Sequence, residues 1–227
     1  MCSHYQTVKD AARLKHHFGV NPCLAGDSAI RPDMWPGYLG GFVRQHLHAE
    51  VGDEAVPDAE YLPGLFGLVP HWAADTKITK STFNARSETA ATKPAFRDAW
   101  KRAHHCIIPA EVIYEPDWRS GKAVPTRIST LDGSPLGIAG LWSFWKSEKA
   151  EVVYSFTMLT INAEAHPLMQ NFHRPTHEKR MVVILPPERY QDWLAAAPAD
   201  SMDFMVPFAA DALQSAAVVS GKGALTA

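Results

Sequence analysis

Six short runs of strand length, Cys106–Ile108, Val112–Tyr114, Thr126–Ser129, Leu136–Ala139, Val152–Leu159 and Met181–Leu185, constrain the fold of this chain more than any other feature. Phe42–Leu47 adds a seventh candidate, and Asp132-Gly133 between two of the runs is a type I′ hairpin signal. Helical periodicity is sparser. Val8 to Phe18 carries apolar residues at 8, 11, 12, 14 and 18 and stops at Gly19, the pattern of an amphipathic helix closed by a glycine. A second helix is expected from Thr92 to Ala103, with Pro94 near its first turn and Phe96, Ala99, Trp100 and Ala103 on one face. A third is expected over Pro187–Ala196. Strands dominate without regular β-α-β alternation, so the class is α+β, with a mixed, largely antiparallel, barrel-like sheet and flanking helices. Asn21–Gly41 reads as an irregular connection, Ala49–Pro63 as a surface loop, and residues 215–227 as a disordered tail of one 227-residue domain.

Composition narrows the function classes. The apolar runs are too short to span a bilayer and no basic-then-apolar leader opens the chain, so a cytoplasmic protein is expected. Cys2, Cys23 and Cys106 are an odd number without CxxC spacing, which indicates neither a disulfide framework nor a cysteine zinc site. The net charge of −2 argues against a protein that coats nucleic acid indiscriminately. The charge is nevertheless uneven: Lys77 to His105 holds seven bases against two acids, while Pro186 onward holds two bases against five acids. Such asymmetry suits a focused basic groove, and equally a solvated helix face.

The chemistry-bearing residue is Cys2. Once Met1 is trimmed the chain begins with a 1,2-aminothiol, an α-amine of pKa about 7.7–8.0 beside a thiol of pKa about 8.5. An aldehyde is its natural partner, because the amine forms a Schiff base and the thiol closes it to a thiazolidine. A plain reading of the same residue is a frayed terminus.

Cys2 is followed in order by Phe66-Gly-Leu-Val-Pro70-His-Trp72, Asn84-Ala-Arg86-Ser-Glu88, Cys106-Ile-Ile-Pro109-Ala-Glu-Val-Ile-Tyr114-Glu115, Ala139-Gly-Leu-Trp142 and Arg180-Met-Val-Val-Ile-Leu185. From Cys2 to about Leu194 this series resembles the SRAP family, the SOS-response-associated peptidases, better described as abasic-site-processing proteins. The resemblance implies capture of abasic sites in single-stranded DNA by a thiazolidine crosslink through Cys2. It also implies that Asn84 holds the terminal amine and that Glu115 is the general acid/base, a role worth about 10²- to 10⁴-fold. Glu115 stands beside Ile113 and Tyr114, an apolar setting that should raise its pKa. The family's histidine is His173 or, alternatively, His177, which lie on a longer approach to Arg180-Met181 than is usual. Either would stabilise the imine or shuttle its protons.

For the DNA, Arg86 and Arg180 are the expected phosphate ligands, and Trp72 and Phe66 the expected base platforms. Phe66 and His4 stand where the family more often has tryptophan and arginine, and Val182 where it has proline. His4 is therefore a further candidate contact. The resemblance implies no metal or organic cofactor, a monomer, and association with the bacterial nucleoid when DNA is bound. Lyase-like strand cleavage through the Schiff base is a side reaction of that capture, and three rivals follow from the residues: a Cys/His peptidase with hydrolytic chemistry, a metal site using His46/His48, His104/His105 or His173/His177, and a single-strand-binding module without chemistry.

Overall fold

A computed structural model describes residues 2–22, 30–49, 56–147 and 149–218. Met1 and Cys23 lie outside the described residues, as does the end of the chain from 219 onward. In order, the elements are β1 (His4–Thr7), α1 (Ala11–Phe18), β2 (Asp33–Met34), β3 (Leu39–Gln45), β4 (Ala59–Phe66), α2 (Thr79–Thr82), β5 (Asn84–Arg86), α3 (Ser87–Ala90), α4 (Arg97–Lys101), β6 (His105–Asp117), β7 (Val124–Thr130), β8 (Leu136–Lys146), β9 (Val152–Asn162), β10 (Arg180–Val182), β11 (Ile184–Leu185), α5 (Tyr190–Ala195) and β12 (Leu213–Ala217).

Strands β3, β4, β9, β8 and β6 close into a five-strand mixed barrel. The β4–β9 pair is parallel and the other four are antiparallel, which makes the fold the expected α+β class with a barrel-like sheet. The 13-residue β6 organises it. Its first half pairs with β8, its second half with β7, and β1 lies along its other edge from His4↔Tyr114 to Thr7↔Ala110. The runs expected as separate strands at Cys106–Ile108 and Val112–Tyr114 are one; Pro109 and Pro116 both fit it, because the fixed proline φ lies at the edge of the β region.

Aromatic rings fill the core. Phe66 lies 5.6 Å from Phe156 in a stacked pair and 5.2 Å from Tyr5 edge-on, and Phe42 reaches Phe156 at 5.7 Å. Each such buried ring contributes about 1.5–3 kcal/mol. Helix α1 forms as its periodicity implies: the Asp10 side chain caps it by accepting from the Arg13 backbone N–H, Gly19 at φ 69° ends it, and Leu14 and Phe18 face the core.

Four expectations needed correction. The presumed loop at 49–63 contains the start of β4, hidden because its charge is paired across strands: Glu60 opposes Arg44, and their side chains meet at 2.8 Å. The helix expected from Thr92 to Ala103 is helical only at α4, since Pro94 disfavours helical backbone at Lys93. Asp132-Gly133 joins β7 to β8, yet these strands do not pair; both pair with β6 instead. A type I′ turn needs positive φ at both central residues and only Gly133 has it, while Asp132 accepts a hydrogen bond from the Ser134 N–H. The tail reading fails at 215–217, which belong to β12 and pair with β7 from Ile128 to Thr126. No helix among the described residues is long and apolar enough to cross a membrane.

Candidate functional site

Pairing of β1 with the end of β6 decides where Cys2 sits. The His4↔Tyr114 register brings the residues just ahead of β1 alongside Glu115, and Cys2 is buried with its thiol 3.4 Å from the His4 carbonyl. From the far side comes Asn84, carried on β5 by parallel pairing with β9. Its Nδ2 donates to the Cys2 carbonyl at 3.0 Å and to that of Phe83 at 2.7 Å. The Asn84 Oδ1 atom is buried with no hydrogen-bond partner among the described residues. His173 completes the group: its Nδ1 is 3.4 Å from Glu115 Oε2, and both side chains are buried. His177 lies in an exposed turn, its N–H bonded to the Arg174 carbonyl, so of the two histidines only His173 enters this cluster.

Burial sets the protonation states. It pushes the Glu115 carboxyl up to about 7, against a smaller pull down from the amino-terminal charge. It lowers His173 to about 4, with the same amino-terminal charge acting in the same direction. The Glu115–His173 approach has ion-pair spacing, but burial disfavours the charged form of each, so between about pH 4 and 7 the favoured contact is that of a neutral carboxyl with a neutral imidazole. Its polarity follows from the other ring nitrogen. Nε2 lies 3.2 Å from the Arg180 carbonyl, which can only accept, so neutral His173 carries its proton there and turns the Nδ1 lone pair to Glu115. A protonated Glu115 donates to that lone pair. Burial, then the Glu115 charge, also pushes the Cys2 thiol up.

His173 adopts φ 63°, in the left-handed region that costs a non-glycine residue about 1–2 kcal/mol. What holds it there is Lys179, whose ammonium donates to the carbonyls of Phe172, His173 and Arg174 at 2.8, 2.9 and 3.2 Å. Sequence reasoning missed Lys179; its only signal was a base next to Arg180.

Around this pocket the expected DNA ligands divide. Arg86 is half-exposed on the rim. Arg180 is not an open phosphate ligand: its side chain is 2% exposed and bonded to Glu178 at 2.6 Å, to Glu88 at 2.8 Å and to Thr160. Phe66 cannot serve as a base platform either, being wholly buried against Phe156 and Tyr5. Trp72 is 50% exposed and available. His4 is sandwiched between Trp35 and Tyr114, 4.1 Å from each ring, and its Nε2 meets Asp33 at 2.9 Å. Trp35, exposed at 43%, was also missed; a tryptophan inside a Pro- and Gly-rich connection was the available hint. Among the described residues no three His, Cys, Asp or Glu side chains gather as a metal site. His105 instead bonds Ser201 at 2.9 Å inside the core.

The fold is thus a closed mixed barrel that buries Cys2 near a carboxyl–imidazole pair, with Arg86 and Arg180 at its rim. The chain belongs to the family described as SOS response associated peptidase (SRAP), whose profile matches residues 1–221. It is 33% identical over 161 residues to "Abasic site processing protein YoaM" of Bacillus subtilis (strain 168), a match covering 68% of this chain and 66% of that protein, just under two thirds of its length. A crystal structure of a Bordetella bronchiseptica protein superposes with TM-score 0.85 at 47% identity, over 96% of this chain and all of that one. A Bacteroides thetaiotaomicron protein shares the fold at 21% identity, with TM-score 0.80 over 96% and 93% of the two chains.

Proposed function

We propose that this protein recognises abasic sites in single-stranded DNA and, with Met1 removed, captures them covalently through Cys2. The observation that carries the reading is the convergence of Asn84, Glu115 and His173 on Cys2, and relatives named as abasic site processing proteins support it. The α-amine attacks the C1′ aldehyde of the ring-opened sugar to give a carbinolamine. Protonated Glu115 supplies the proton with which the hydroxyl leaves as water, forming the imine. The Cys2 sulfur then adds to the imine carbon as its proton passes to the ring nitrogen, so aldehyde plus aminothiol gives thiazolidine plus one water. Asn84 Oδ1, buried without a partner, is the acceptor that would orient the freed amine. Neutral His173 relays protons to and from Glu115.

A peptidase built on a Cys2 thiolate has the opposite requirement, because a nucleophilic thiol needs its pKa lowered and burial here raises it. In thiazolidine formation the amine reacts first and the thiol adds within the same molecule, where proximity substitutes for ionisation. The test is intact-mass spectrometry of the protein before and after incubation with a single-stranded oligonucleotide bearing one abasic site, beside Cys2→Ala. The expected result is a starting mass without Met1 and an adduct of protein plus oligonucleotide minus water that the variant does not form. A Cys2-exposed protein that forms no adduct would overturn the reading.

A further inference from the structure

Glu178 has no part in the chemistry above, yet it occupies the centre of the basic rim. Its Oε2 accepts from Arg86 Nη1 at 2.7 Å and its Oε1 from Arg180 Nη1 at 2.6 Å, with Asn162 Nδ2 a third donor at 3.4 Å. A carboxylate bridging two guanidiniums through its two oxygens presents what a phosphodiester presents through its two non-bridging oxygens: one negative charge shared by a forked acceptor. The partners differ in mobility. Arg180 is locked, at 2% exposure, by Thr160 and by Glu88, whereas Glu178 is one-third exposed on the loop between His173 and β10. Of the two, the carboxylate is the one able to swing away while the guanidinium seat stays in place. Its pKa is held low, chiefly by the hydrogen bond from Arg180, so the occupant remains an anion.

We propose that Glu178 is a built-in stand-in for a DNA phosphate, seated on Arg86 and Arg180, which the incoming strand must displace. This rests on the single-stranded-DNA reading. It explains why two arginines on the lesion side of the barrel are both ion-paired in the free protein, and it assigns a negative regulator of affinity to the loop that carries His173. The rim then discriminates: a backbone that engages the seat with a phosphate replaces the carboxylate, and one that does not remains repelled by it.

The experiment is anisotropy titration of the full chain with a lesion-free single-stranded oligonucleotide over a salt series, using Glu178→Gln, Arg86→Gln and the double variant. Glu178→Gln should bind about tenfold more tightly at low salt, because the strand no longer has a carboxylate to displace from the same phosphate seat. Arg86→Gln should weaken binding, and the double variant should lose the gain. Glu178→Asp, too short to span both guanidiniums, should tighten binding to a smaller degree and serves if the Gln variant folds poorly. If Arg86→Gln weakens binding while neither Glu178 variant tightens it, the stand-in idea is overturned and the DNA reading survives. If no rim variant changes binding, both fall.

Discussion

The pocket around Cys2 and the rim around Arg180 share one residue and treat charge in opposite ways. The Arg180 backbone carbonyl accepts from His173 in the pocket, while its side chain anchors the rim. In the pocket, burial drives Glu115, His173 and Cys2 toward their neutral forms. On the rim the charges are paired: each guanidinium has a carboxylate within 2.9 Å, and the hydrogen bond from Arg180 holds the Glu178 carboxyl below the usual carboxylate range. Position accounts for the difference: opposite charges in contact tolerate partial burial, whereas a carboxyl taken out of water beside a neutral imidazole holds its proton. Under the proposed function, proton transfer belongs to the dry neutral pocket and attraction of a polyanion to the charges of the rim.

The comparison breaks most visibly at Glu115. Glu115→Gln should slow adduct formation by about 10²- to 10⁴-fold at neutral pH, read from the time course of the crosslinked band on a denaturing gel. Stability should move the other way. The folded-state pKa of about 7 lies above the usual 4.5, so Glu115 binds more protons in the folded than in the unfolded protein between those values. Its contribution is fully present below about pH 4.5 and lost as pH rises through 7. Glu115→Gln removes that loss and should stabilise the protein at pH 8 by about 3 kcal/mol, measured by urea denaturation at pH 5 and pH 8. Equal pH slopes for the two proteins would show that Glu115 titrates normally.

Smaller effects sharpen the contrast. Trp35→Ala should weaken single-stranded DNA binding about tenfold by removing a stacking surface continuous with His4 and Tyr114, without altering the rate from saturated complex. An unchanged dissociation constant would leave Trp72 as the platform. Lys179→Met should cost about 1–2 kcal/mol by leaving three loop carbonyls without their shared donor, and slow adduct formation with a shifted pH profile. His173→Gly should prove about 1 kcal/mol more stable than His173→Ala, because φ 63° strains any residue with a Cβ. His177→Ala, on the exposed turn, should match the parent in both assays.

Much of the architecture was legible in local pattern. Helix α1 and its glycine stop, the apolar strand runs and the absence of β-α-β alternation could all be read one window at a time. The misses have a common cause. Strand β4 read as loop because Glu60 finds its partner across the sheet in Arg44, and Asp132-Gly133 read as a hairpin because its strands find partners in β6 rather than in each other. At the site, the aminothiol pointed to Cys2, while Asn84 and Glu115 came only through the family resemblance, and sequence alone left His173 and His177 both open.

What the chain determined by itself was chemical identity and local conformation: an aminothiol-forming cysteine, a carboxyl flanked by apolar residues, a basic middle and the apolar runs that become strands. Only the tertiary structure decided burial and pairing. It put Phe66 in the core, locked Arg180 between Glu88 and Glu178, brought His173 beside Glu115 and raised the Glu115 carboxyl to about 7. The reason is physical. A side chain's proton affinity and its access to a partner depend on the dielectric and the charges within a few ångströms, and here those neighbours come from segments up to roughly 170 residues apart in sequence.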